Sequence, residues 1–169
     1  SASTGTKIIS AISRYKDNDL RNLKKIARKT AVLYSPNITL GINFLMVASQ
    51  VLKKMVPNID IEIIEEHFRT KKEVSGTALR IAQLLALDSV KHVNSIRVGG
   101  IIGKHEVVFG FPNQTIRIIH ESINRAAFAL GAIYAAKWLA KKKKKGLYTM
   151  EQVVAGTFAE YSKHIHENT

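Results

Sequence analysis

In the run Glu65-Glu66-His67-Phe68-Arg69-Thr70-Lys71-Lys72-Glu73-Val74-Ser75-Gly76-Thr77-Ala78, an imidazole and two ammonium groups precede a Ser-Gly-Thr entry into a helix. That grouping can handle a carboxylate. The N–H groups in a helix's first turn lack intrahelical partners, and with the helix dipole and a Ser or Thr hydroxyl they suit an anionic oxygen. Lysines just upstream add positive charge, and a histidine can hand over a proton near neutral pH. The plainer alternative is a capped helix after a charged turn. Ser75 has no histidine–acid partnership legible in the sequence, which disfavours a serine hydrolase.

The 169 residues, 46% hydrophobic and 23% charged, suffice for one domain with a proper core, or for one domain carrying a fragment of another. No apolar run reaches the ~18 residues of a membrane span, and no signal-peptide pattern opens the chain. The absence of cysteine excludes disulfides, thiolate metal sites and a cysteine nucleophile, and fits a cytoplasmic protein. The net charge of +13 raises the question of nucleic acid, but Lys141 to Lys145 supply five of those charges and leave +8 elsewhere. Such a run fits a solvated helix end, and no helix-turn-helix, zinc-finger or aromatic-basic signature accompanies it. Nucleic acid is therefore not favoured as a partner.

The elements that must hold the His67 loop follow from periodicity. Residues 6 to 29 suit one helix or two short ones, through Ile8, Ile9, Ile12, Leu20, Leu23 and Ile26. A short strand at 30 to 34 is stopped by Ser35-Pro36-Asn37. This opening unit shows no obvious core of its own. An apolar helix over 39 to 56 ends at Pro57. A strand then places Ile59, Ile61 and Ile63 on a buried face, with Asp60, Glu62 and Ile64 on a mixed one. After the loop come a helix over 76 to 88 and strands near 93–100, 105–111 and 114–121, whose short connections predict antiparallel hairpins. Gly100-Ile101-Ile102-Gly103 lies between two strands and opens no helix, so it is rejected as a dinucleotide loop. Residues 123 to 145 predict the longest helix, ended by Gly146, and a last helix over 149 to 163 is capped by Thr149. His105 and His120 read as structural strand histidines, Trp138 as core, and His164 and His166 as tail residues.

The fold expected is α+β: a mainly antiparallel four-stranded sheet covered by helices. Apolar residues on both faces, such as Val107 with Val108 and Ile118 with Ile119, favour oligomerisation.

In their order these motifs resemble the C-terminal half of the 4-hydroxy-tetrahydrodipicolinate reductase family, NAD(P)H-dependent enzymes of lysine and diaminopimelate biosynthesis. The resemblance rests on Ser35-Pro36-Asn37, Ile61 through His67, Ser75-Gly76-Thr77-Ala78, Arg97 through Val107, Ile119-His120-Glu121 through Arg125, Phe128 and Gly131-Ala132, and Gly146 through Met150, covering about residues 30 to 155. It implies a homo-oligomer, tetrameric in the family, acting on a cyclic dicarboxylate. It divides the chain into 1–36, a tail of a Rossmann-like nucleotide domain, and 37–169, a substrate-binding and assembly domain. Most of the nucleotide domain would be absent, as in a truncated product or natural remnant, so NADPH or NADH would serve the complete enzyme and not be bound by this chain.

Residue by residue, the resemblance makes His67 the proton donor and Lys71 a carboxylate partner or helper in that transfer. Ser75, Gly76 and Thr77 would hold the substrate carboxylates, with Arg125 reaching across a subunit boundary. Ser3, Thr4 and Gly5 match the loop near the nicotinamide, and Ser35 and Asn37 fall on the cofactor side. Phe68 stands among the substrate contacts where the family usually has a second histidine; that loss costs about 1–3 kcal/mol if its partner stays buried. Glu73-Val74 replaces an Asp-Ala-Pro approach and is one residue shorter, so Lys72 could replace Lys71. The segment from Leu87 to Val93 is also compressed. No metal is implied. The competing reading is a non-catalytic assembly domain whose chemistry has lapsed.

Overall fold

The computed structural model describes residues 4–13 and 15–167, and side chains as far as Tyr161. They gather into two compact units, Ser1–Asn43 with Ala126–Thr169, and Phe44–Arg125. The expected division at residues 36 and 37 falls inside the first unit, which the C-terminal segment joins.

The first unit is built on a parallel sheet in the order β1 (Ile8–Ser10), β2 (Ala31–Tyr34), β7 (Gly146–Tyr148). Alternation along β2 divides two apolar clusters. Val32 joins Leu23 and Ala27 of α1 (Asp17–Ala27). Ala31 and Leu33 join Ala135 and Leu139 of α5 (Ala126–Lys141) and Met150 and Val153 of α6 (Met150–Glu167). Burial on both faces is what a parallel sheet demands. Gly131 lets α5 approach the 38–39 backbone, since a Cβ there would overlap the Ile38 carbonyl.

Several sequence expectations change here. Ile8 and Ile9 form strand β1, because pairing with Val32 and Leu33 satisfies a backbone that local periodicity assigns to helix. The opening unit does have a core, supplied by residues distant in sequence. The expected helix over 123–145 spans only 126–141, and Gly146 is the first residue of β7, pairing with Ala31. The longest helix is α6, which begins with a reciprocal cap: Gln152 N–H donates to Thr149 Oγ1 at 3.3 Å, and Thr149 N–H to Gln152 Oε1 at 3.0 Å.

The second unit takes up α2 (Leu40–Met55) from Phe44 onward. Its mixed sheet has the order β4 (Val93–Arg97), β3 (Asp60–His67), β5 (Lys104–Gly110), β6 (Thr115–Glu121). β3–β5 and β5–β6 are antiparallel as expected, but β4 lies parallel to β3 and does not form a hairpin with β5. The link 98–103 therefore crosses from one side of β3 to the other, past its C-terminal end. The expected helix over 76–88 is α3 (Gly76–Leu84) followed by the single turn α4 (Ser89–His92), the break falling beside Ala86 at φ 48°. α3 packs on β3 and β4.

Candidate functional site

The strand β3 runs three residues further than expected, so Glu65, Glu66 and His67 belong to it. Alternation then puts Glu65 and His67 on the buried face with Ile61 and Ile63. Glu65 is 0% exposed and His67 8%. A buried carboxylate requires partners. Glu65 Oε1 accepts from Arg97 Nη2 and Ser95 Oγ, both at 2.6 Å, and from Ser75 N–H at 3.2 Å. Its Oε2 accepts from Arg97 Nη1 at 2.9 Å and lies 2.5 Å from His67 Nδ1. Burial alone would raise the Glu65 pKa, but the bonds from Arg97, Ser95, Ser75 N–H and His67 outweigh it and hold the carboxyl at about 2. Glu65 is thus an acceptor only. Nδ1 of His67 carries the hydrogen, and in the neutral ring the lone pair sits on Nε2. Nε2 has no hydrogen-bond partner among the described residues, and the side chain keeps 11% exposure. The Gly100–Gly103 link borders this edge: a Cβ on Gly103 would lie 3.1 Å from Nε2.

His105, from β5, meets His67 edge to face with ring centroids 5.3 Å apart. Burial, then the neighbouring His67, depress its pKa to about 3, so it is neutral. Its Nε2 shares a 2.8 Å hydrogen bond with Ser75 Oγ. A Ser–His pair thus exists where the sequence showed none. Ser75 is only 3% exposed, however, and its N–H is held by Glu65, which suits a structural pair better than a nucleophile. Being engaged with His105, the Ser75 hydroxyl does not cap α3. The first turn of α3 nonetheless opens outward: a side chain on Gly76 would meet nothing within 4 Å.

Lys71 is half-buried, and its positive charge is among the causes that depress His105, which places it in the electrostatic field of the site. Lys72 is exposed, Thr77 half-buried, and Phe68 is 42% exposed just beyond β3. Arg125 is exposed at the end of the second unit. Of the cofactor-side candidates, Ser3 lies outside the described residues. Thr4 Oγ1 bonds Thr6 Oγ1 at 2.7 Å, and the Gly5 carbonyl accepts from Thr30 Oγ1 at 3.0 Å. Ser35 Oγ donates to the Asn37 carbonyl at 2.6 Å, and Asn37 Oδ1 accepts from Thr39. The Thr4 and the Ser35–Asn37–Thr39 bonds are local, while that of Gly5 ties it to Thr30, 25 residues on. No described strand of the parallel sheet runs through a glycine-rich turn into a helix, so the described residues do not fit the diphosphate of NADPH or NADH. Among the described residues no cluster of ligands suits a metal, and no helix is long and apolar enough to cross a membrane. A separate groove lined by Gln50, Lys53, Lys54, Pro57, Leu84 and Leu85 shares no residue with the His67 site.

Sequence reasoning gave Glu65, Ser95 and Arg97 no role of their own, and read His105 as a structural strand histidine, in keeping with its bond to Ser75. Glu65 could have been found, because continuing the Ile61, Ile63 alternation puts a charged residue on a core face.

A histidine–carboxylate–arginine cluster beside an open helix N-terminus, on a mixed sheet, marks this as an α+β domain with a buried polar centre. The model of the family described as dihydrodipicolinate reductase, C-terminus, matches residues 41–154, and this chain belongs to that family. A 4-hydroxy-tetrahydrodipicolinate reductase of Archaeoglobus fulgidus is 32% identical over 172 residues, covering 89% of this chain and 67% of that protein. One from Thermosipho africanus is 39% identical over 137 residues, covering 80% and 62%. A dipicolinate-bound dihydrodipicolinate reductase from Paenisporosarcina shares the fold with TM-score 0.75 at 23% identity, over 90% of this chain and 66% of that one. The chain thus spans about two thirds of the length of these relatives.

Proposed function

We propose that this chain is the dicarboxylate-binding part of a 4-hydroxy-tetrahydrodipicolinate reductase of lysine and diaminopimelate biosynthesis, with His67 delivering a proton from Nε2. The observation that carries this reading is the asymmetric environment of the imidazole: Nδ1 is held by a carboxylate that is ionised at neutral pH, while Nε2 has no hydrogen-bond partner among the described residues. When His67 is protonated, Glu65 stabilises the cation without taking its proton, and Nε2–H is the group left to give. Lys71 supplies a cation for one carboxylate, and the first-turn N–H groups at Gly76 and Thr77 suit the other. Ser75 supports that turn from below, through His105 and Glu65, and does not itself contact the ligand. The described residues give NADPH or NADH no diphosphate cradle, so the function assigned to this chain stops at carboxylate binding and proton delivery.

On this reading the first unit is the portion related to a nucleotide domain, and the sheet of the second unit assembles into a homo-oligomer. Ile96 on β4 and Ile119 on β6 stay 44% and 54% exposed and are candidates for that contact. Arg125 would reach a ligand only from a neighbouring subunit.

Pyridine-2,6-dicarboxylate should raise the melting temperature, His67→Gln and Lys71→Ala should each reduce the rise, and Lys72→Ala should leave it. No rise at millimolar ligand would favour the lapsed assembly domain, whose remaining property is an oligomer visible by light scattering.

A further inference from the structure

The Arg97 side chain makes as many hydrogen bonds as Glu65 does, and the proton-donor reading gives it no task. Its five N–H donors are all engaged. Two hold the Glu65 carboxylate, Nη1 to Oε2 at 2.9 Å and Nη2 to Oε1 at 2.6 Å. Nη1 also donates to the Ile96 carbonyl at 2.9 Å. The other two reach the lysine loop, Nε to the Lys71 carbonyl and Nη2 to the Glu73 carbonyl, both at 3.0 Å. A guanidinium with no donor left cannot anchor a substrate carboxylate. It can fix the groups that do the chemistry. Its fork matches the carboxylate in a planar, bidentate way, which orients Glu65 and, through Oε2, the ring of His67. The same plane pins the loop at residues 71 and 73, on either side of Lys72.

Resting on the ligand assignment above, we propose that Arg97 is the positioning residue of the site: one guanidinium sets both the tautomer of His67, with Nε2 offered to the ligand, and the reach of Lys71. This would explain how a loop so short still keeps Lys71 in the field of the histidines while Lys72 is turned to solvent. The charged and titratable groups around His67 are Glu65 from β3, Arg97 from β4, His105 from β5 with His120 paired beside it on β6, and Lys71 from the loop. None but Glu65 makes a hydrogen bond to the His67 ring among the described residues, so the tautomer reports on the Arg97–Glu65 pair.

Nitrogen-15 spectra of the side-chain imidazoles in the full chain test this directly. In the wild type, neutral His67 should show a pyrrole-type Nδ1 and a pyridine-type Nε2. Arg97→Lys should yield a mixture of tautomers and weaken pyridine-2,6-dicarboxylate by at least about tenfold, the cost of losing hydrogen bonds to charged groups. Glu65→Gln, which keeps the shape and gives Nδ1 an amide donor, should move the hydrogen to Nε2. A wild-type Nε2–H tautomer, or an Arg97→Lys protein that folds with His67 unchanged, overturns the proposal. If the wild type shows the expected tautomer but takes up no dicarboxylate, the ligand assignment falls, and the variant spectra alone decide the role of Arg97.

Discussion

The two central strands β2 and β3 answer burial in opposite ways. β2 fills both faces of its sheet with Ala31, Val32 and Leu33, which pack into apolar clusters on either side. β3 begins its buried face with Ile61 and Ile63 and finishes it with Glu65 and His67. The apolar strand needs only close packing. The polar end of β3 needs Arg97 and Ser95 from β4, Ser75 at the entry to α3 and His105 from β5 to be in place at once. On the function proposed above, a carboxylate buried at this cost in desolvation serves to hold an imidazole, and the contrast with β2 separates the strand that only has to fold from the one that would act.

The contrast can be broken from either side. Glu65→Ala leaves the Arg97 guanidinium half-enclosed without its carboxylate and should cost about 3–5 kcal/mol of stability by urea unfolding, because the remaining charge has no partner. Leu33→Ala, in the apolar strand, should cost about 2–5 kcal/mol through the cavity it leaves. Only the first should abolish dicarboxylate binding in the protein that stays folded.

Acid should find the polar end first. The fold holds His105 neutral, with a pKa of about 3 against an ordinary 6.5, so its contribution is complete above pH 6.5 and is lost as pH falls towards 3. Glu65, held at about 2 against 4.5, contributes fully above pH 4.5 and loses its share between 4.5 and 2. Melting temperatures measured across pH should begin to fall below about 6.5. In His105→Asn the decline below 6.5 should be shallower, the remainder coming from His120, whose pKa burial also lowers, with the Glu65 limb intact. An unchanged slope in that variant would remove His105 from the buried network.

The smallest effect separates two serine- and threonine-led helix starts. Thr149 caps α6 with its hydroxyl, so Thr149→Ala should cost about 1 kcal/mol. Ser75 makes no cap, so Ser75→Ala should act through His105 instead, changing the pH onset by its loss of the hydroxyl partner.

Much of this molecule was legible in its residues. The helix over 39–56, the strand leading to His67, the β5–β6 hairpin and the helix entry at Ser75-Gly76-Thr77 all follow from local period and turn chemistry, which act over a few residues. What was not legible depends on partners far along the chain. Ile8 and Ile9 become strand only because β2 lies alongside, and Gly146-Leu147-Tyr148 is too short to announce itself as β7. The parallel pairing of β4 with β3 puts Arg97 opposite His67, and no spacing within either segment encodes that register. The site was therefore read from its loop, where charges are adjacent in sequence, and missed at Arg97, where they are adjacent only in space.

Amide chemical-shift mapping of the full chain during a pyridine-2,6-dicarboxylate titration tests the central claim most directly. Shifts should concentrate at His67, Lys71, Gly76 and Thr77 and leave β2 untouched. Shifts centred instead on the groove of Gln50, Lys53 and Lys54, or none at millimolar ligand, would contradict it.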